Sequence, residues 1–207
     1  NINFVIPAGA TGIPAYMFYN QGNLTGLTFE ENDKVTWIGT RAFYNCTNLK
    51  LDKLPSSMIT IKDYAFHGCH SMALTEFPSN LSSIGSYAFF ECYCLECDSI
   101  PEGVTLLMNQ SFNYAFQSNP PKMLTLPASL KTIQQNALSN TYLKAIRFLG
   151  TPEYIHKYTF SGSWCAIDDI YVPWSSSEVI DNVTANAPWG ATTATIHYNV
   201  APDEVIE

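Results

Sequence analysis

Charge is what this chain has least of. Lys and Arg number 10 and Asp and Glu 18 among 207 residues, so charged side chains make up 14 %, against roughly 25 % in an average soluble domain. The surface must therefore be covered largely by Ser, Thr, Asn, Gln and Tyr. The net charge of −8 argues against partners met by clustered Lys and Arg, which removes nucleic acid and anionic lipid surfaces. Long apolar runs are missing as well. No window approaches the ~18 consecutive apolar residues of a membrane-spanning helix, so no membrane insertion is expected in this segment. No basic-then-apolar leader opens the chain. The glycines are scattered, with none of the clustering that cradles a phosphate.

What the chain has is a repeat. Seven times an aliphatic residue is followed five places later by an aromatic or a leucine: Ile13/Phe18, Ile38/Phe43, Ile61/Phe66, Ile84/Phe89, Leu107/Phe112, Ile133/Leu138 and Ile155/Phe160. The anchors step by 25, 23, 23, 23, 26 and 22 residues, a period that signals a solenoid of stacked supersecondary units. A solenoid offers an extended surface in place of a deep pocket, so neither an enzyme nor a cofactor is expected.

One unit, residues 49–72, shows the physical logic. Apolar Leu49, Leu51 and Leu54 form a run closed by Pro55, as Pro7, Pro78, Pro101, Pro127 and Pro173 close theirs. Proline has no amide hydrogen to donate and belongs at a strand's end, so the run reads as a short strand. Met58 and Ile61 follow in a turning, extended segment. Ala65, Cys69 and Met72, spaced four and three apart, then read as the inward stripe of about two helical turns.

The segments IGTRAFYNCTNL, IKDYAFHGCHSM and IGSYAFFECYCL resemble repeats of the BspA-like leucine-rich family of bacterial and protist surface proteins. The resemblance covers roughly residues 2–172. It implies an α/β solenoid: a right-handed leucine-rich-repeat superhelix, with a parallel β-sheet on one face and short helices or turns on the other. Residues 1–173 are expected to hold the repeats, beginning inside one of them, as part of a larger chain. Residues 174–200 resemble C-terminal caps of repeat proteins from gut bacteria and phages; Ser175-x-x-Glu178 reads as a capping box opening a helix with Val179 and Val183 on one face. Pro188-Trp189-Gly190 then turns into a final strand over 193–198, and 201–207 form an acidic tail.

The family pattern lapses in places. Leu138 replaces the anchor Phe, and Ser111 and Thr159 replace the Ala before it. The runs LTGLTF, LKAIRF and IDDIYV carry an apolar fourth residue, whereas Asp52, Thr75 and Asp98 stand there in the units between. A local change of strand geometry, of the bulge type, is expected in those units, with Leu51, Leu74 and Cys97 facing inward.

Candidate chemistry reduces to packing on the same alignment. Cys92-Tyr-Cys94-Leu-Glu-Cys97 and His67-Gly-Cys69-His70 have metal-like spacing. However, Cys46, Cys69 and Cys92 share one core column and Cys97 sits in another, so no metal is expected. The thiols read as a ladder of small apolar groups, with Cys94 left over. Nothing gathers His67, His70, His156 or His197 with a nucleophile and an acid, and the carboxylate pairs Glu30-Glu31 and Asp168-Asp169 read as solvated turns or strand edges.

One surface feature remains. The residue two before the anchor is Tyr16, Arg41, Tyr64 or Tyr87 in the first four units, and the residue after it is Tyr19, Tyr44, His67 or Phe90. Positions three apart share a helix face, so an aromatic stripe is expected along the convex side. These eight are the candidate ligand-binding residues, against the plainer reading that the tyrosines only pack across rungs. A second outward column, Lys53, Glu76, Ser99, Thr125, Arg147 and Tyr171, lies on the sheet. The resemblance implies a non-enzymatic adhesion or recognition module, extracellular or on a bacterial surface, binding a host protein, matrix component or glycan; the cap-like end raises a phage virion protein as the alternative.

Overall fold

A computed structural model describes residues 1–30 and 34–206. Glu31 of the Glu30-Glu31 pair and Glu207 of the tail lie outside the described residues. Every strand pairing is parallel, each rung laid on the one before, which gives a solenoid of the leucine-rich-repeat kind.

The anchoring aliphatics sit in two-residue strands: Gly12–Ile13, Trp37–Ile38, Thr60–Ile61, Ser83–Ile84, Leu106–Leu107, Thr132–Ile133 and Tyr154–Ile155. In each the second residue is buried and the first is not, the alternation a pleat imposes. Before five of them comes a corner in which a proline carbonyl accepts from the amide three residues on: Pro7 from Ala10, Pro55 from Met58 at 3.1 Å, Pro78 from Leu81 at 3.0 Å, Pro101 from Val104 and Pro127 from Leu130.

The proline-closed runs behave in two ways. Strands form at Leu24–Phe29, Leu124–Leu126, Ala145–Phe148 and Asp169–Tyr171. Residues 49–54 and 72–77 form none, and 95–100 contribute a single bridge, Ser99 to Thr125. The short strand expected at 49–54 is therefore corrected. Strands appear where the fourth residue is apolar; where it is Asp52, Thr75 or Asp98, two consecutive side chains point outward and the period of two is lost. The ladder is interrupted there, although Leu51, Leu74 and Cys97 are buried.

The face opposite was expected to hold short helices or turns, with the spacing of Ala65, Cys69 and Met72 favouring helix. Turns are what form: among the described residues the one helical element is a 3-10 turn at Thr184–Asn186. The reason lies in the amides. Tyr64, Phe66 and Gly68 donate to Ser86, Ala88 and Phe90 of the next rung, while Ala65, His67 and Cys69 between them donate to Lys62, Tyr64 and Phe66 of their own. Half the amides are committed across rungs, so an i→i+4 helix cannot close. Left-handed residues bracket the first six runs to make the alternation possible, Tyr64 at φ 59° and Gly68 at φ 73° in this unit.

Inside, Phe18, Phe43, Phe66, Phe89 and Phe112 stack rung on rung with centroids 5.0, 5.1, 5.6 and 5.2 Å apart. All but Phe18 are wholly buried, each ring contributing roughly 1.5–3 kcal/mol of transfer free energy. Leu138 breaks the ring series but fills its place.

The closing segment differs from the expected helix. Ser175 N–H does donate to Glu178 Oε2 at 3.3 Å, yet no helix follows, and Val179 is exposed while Val183 is buried. Trp174 and Trp189 instead pack on each other and on Phe148, Phe160 N–H donates to Trp189 O, and Thr195–His197 pairs with Asp169–Tyr171. Beyond it, Arg147 Nη2 donates to the carbonyls of Ala201, Pro202 and Glu204 at 2.8, 3.0 and 2.6 Å, which lays the tail against the sheet.

Candidate recognition surface

The turns place the eight candidate residues on one outward face as a connected cluster. Tyr16, Arg41, Tyr64 and Tyr87 occupy the left-handed position that opens each turn run, at φ 60, 54, 59 and 57°. Tyr19, Tyr44, His67 and Phe90 stand three residues later. Because successive rungs pair as parallel strands do, their side chains meet at the rung spacing of ~4.7–4.9 Å. Tyr19 stacks on Tyr44 at 5.1 Å, Tyr44 on His67 at 4.5 Å, and His67 on Phe90 at 4.7 Å; beside them Tyr64 stacks on Tyr87 at 4.7 Å.

Arg41 bridges the two columns. Its Nη1 donates to the Tyr16 hydroxyl at 2.9 Å, and its guanidinium carbon lies 4.6 Å from the Tyr64 ring centroid, within cation–π range. The hydrogen bond to Tyr16 leads the interactions that raise the Arg41 pKa. His67 is the opposite case. It lies between two rings, its Nδ1 is buried without a protein partner, and desolvation holds its pKa below the usual imidazole value despite Glu91 nearby.

The rings pack across rungs, and they remain reachable: Tyr16 is 50 % exposed and Tyr19 38 %. In Tyr44 and His67 each ring face is covered by a neighbour, so edges and polar atoms are what they offer outward.

A further group was missed. Phe90 meets Tyr114 edge-on at 5.6 Å, Tyr114 meets Trp164 edge-on at 5.4 Å, and Tyr142 lies 6.3 Å from Trp164. These residues continue the aromatic surface across the later rungs from two and four places after their anchors; the fourth place also holds His70, Tyr93 and Phe116, with His70 stacked on Tyr93 at 4.6 Å. Counting on the repeat to those places was the signal that could have found them.

The other sequence candidates are dispersed. Cys46, Cys69 and Cys92 donate to Phe18, Phe43 and Phe66 carbonyls, Cys97 donates to Leu74, and Cys94 approaches Ser118 Oγ at 3.4 Å; no group of three possible metal ligands converges among the described residues. On the sheet, Thr125, Arg147, Tyr171 and His197 stand in register. His197 Nε2 lies 2.7 Å from Asp169 Oδ1, stacked on Tyr171 at 4.6 Å. His70 pairs with Glu91 at 3.5 Å, and no helix is long and apolar enough to cross a membrane.

With the rungs in place, the sequence matches the BspA type leucine rich repeat region in 6 copies, over residues 2–115 and 112–187. The chain belongs to that family. Among solved structures, a leucine rich cell surface protein from Faecalibacterium prausnitzii is 33 % identical, with a TM-score of 0.64, over 80 % of this chain and 46 % of its own. A leucine-rich repeat protein from Bacteroides ovatus is 20 % identical, TM-score 0.47, over 94 % of this chain and 62 % of its own. One from T. pallidum is 24 % identical, TM-score 0.44, over 60 % and 72 %. The BspA-type chain thus spans less than half of the Faecalibacterium protein. No curated protein matches it.

Proposed function

We propose that this BspA-type chain is a non-enzymatic recognition module of the bacterial cell surface, adhering to a protein or glycan through its turn face. The observation that carries the reading is conformational. Tyr16, Tyr64 and Tyr87 hold left-handed backbone, which disfavours a bulky side chain by roughly 1–2 kcal/mol relative to glycine. The same place holds Asn136 in a later rung, a residue that tolerates this conformation. Strained backbone clusters at functional sites, and Tyr and Arg are the residues most favoured at binding hot spots. The cell-surface name of the Faecalibacterium relative supports the location.

The experiment is binding of the purified protein to immobilised mucin and extracellular-matrix proteins. Replacing Tyr64, Tyr87 and Phe90 by Ser should weaken capture about tenfold or more while the fold persists. Equal capture by folded variant and native protein sinks the turn-face reading.

A further inference from the structure

The turn face changes character along the solenoid. Over the first four rungs it carries Arg41, Lys62, Asp63 and Glu91; the matching runs 108–119 and 134–143 contain no Asp, Glu, Lys or Arg, and 156–166 contains Lys157 alone. They bring Tyr114, Tyr142 and Trp164 together, and Tyr142 and Trp164 are 42 and 46 % exposed. The ring geometry differs too. Tyr114 and Trp164 meet at 87° and Tyr142 and Trp164 at 54°, and among the described residues no ring lies parallel on Trp164. The indole is 46 % exposed, without the parallel stacking that covers Tyr44 and His67.

Beside the rings stand uncharged hydrogen-bonding groups fixed by one another. Asn140 Nδ2 donates to Asn113 Oδ1 at 3.0 Å, and Gln117 Nε2 donates to Asn140 O at 3.3 Å. Asn140 Oδ1 abuts Gly162, where a Cβ would come within 2.1 Å of it, so the side-chain amide is seated against the rung that carries Trp164. Ser118 and Asn119 are exposed at the margin.

We infer that this patch binds a neutral glycan, with Trp164 as the platform. A pyranose presents an apolar C–H face, its hydrogens slightly positive, to the negative face of a π-system. Its equatorial hydroxyls need donors and acceptors but no counter-charge. An anionic polymer would find Lys157 alone to pair with. The inference rests on the recognition reading and narrows it to one ligand class at a second place.

The test is native gel electrophoresis through gels holding neutral β-glucan, mannan or galactan, with alginate as the anionic comparison; the net charge of −8 drives migration. At least one neutral polysaccharide should retard the protein. Trp164→Ala should weaken that retardation about tenfold, Trp164→Tyr should restore part of it, and Tyr16→Ser, on the first rung, should leave it unchanged. Matching circular dichroism melts guard against unfolding. Retardation by no neutral polysaccharide, retardation that survives Trp164→Ala, or retardation by alginate alone overturns the inference. Loss of mucin or matrix capture only in the Tyr64, Tyr87, Phe90 triple Ser variant, without any glycan binding, would leave the recognition reading standing and remove this site.

Discussion

Cys69 Sγ donates to the carbonyl of Phe43, one rung earlier, at 3.1 Å. That oxygen also accepts from the amide of Cys46 in its own turn, so the thiol fills the second lone pair of a buried carbonyl. Cys46 on Phe18 and Cys92 on Phe66 repeat the arrangement. Burial pushes the Cys46 thiol up to about 11 and those of Cys69, Cys92 and Cys97 up as well.

The thiols should therefore divide by reactivity. At neutral pH an alkylating reagent should label Cys94 in the folded protein and Cys165 more slowly, with Cys46, Cys69, Cys92 and Cys97 reacting only after unfolding. Mass spectrometry of the labelled peptides reads this directly; early modification of Cys69 would contradict it.

The same shifts predict alkaline sensitivity. A thiol whose folded pKa is raised keeps its proton in the native state while the unfolded chain loses it. The stabilisation is complete below about pH 9 and lost as pH climbs toward the folded values. Denaturant midpoints measured from pH 8 to 11 should fall steadily, and the fall should shrink in Cys69→Ala.

His67 works in the opposite direction. Its folded pKa is lowered, so the unfolded chain binds the proton first, and stability should decline as pH drops below about 6.5. His67→Phe, which keeps a ring between Tyr44 and Phe90, should flatten that decline between pH 7 and 5. A profile unchanged by the substitution would remove His67 from the account.

Ser111 stands where Ala42, Ala65 and Ala88 stand in other rungs. It is fully buried, and its Oγ has no protein partner. Removing an unsatisfied hydroxyl should stabilise, so Ser111→Ala is expected to gain about 1 kcal/mol, measured by urea unfolding.

Phe66 sits mid-spine, stacked on Phe43 and Phe89. Phe66→Ala should cost about 3–5 kcal/mol and loosen the adjoining rungs, seen as faster amide exchange at Phe43 and Phe89. A nearly unshifted melt would mean the spine is not what holds the rungs.

The rung phase was legible because a buried ring must recur at one place per turn. The choice between helix and turn was not, since Ala65, Cys69 and Met72 face inward either way. What decides is an amide's partner one rung away, which no local pattern records. Asn20, Asn45, Gly68 and Asn140, two places after their anchors, were the available hint, being residues that accept left-handed backbone. The strand breaks were marked by Asp52, Thr75 and Asp98, and Trp164 by its place four after the anchor, where His70, Tyr93, Phe116 and Tyr142 stand in the four preceding rungs.

Hydroxyl-radical footprinting of the protein bound to immobilised mucin or a matrix protein tests the central claim most directly. The turn-face reading predicts that Tyr16, Tyr19, Tyr64 and Tyr87 lose reactivity on binding while Tyr171 and His197, on the sheet, keep theirs. Protection of Tyr171 and His197 with the turn-face tyrosines unchanged would contradict it.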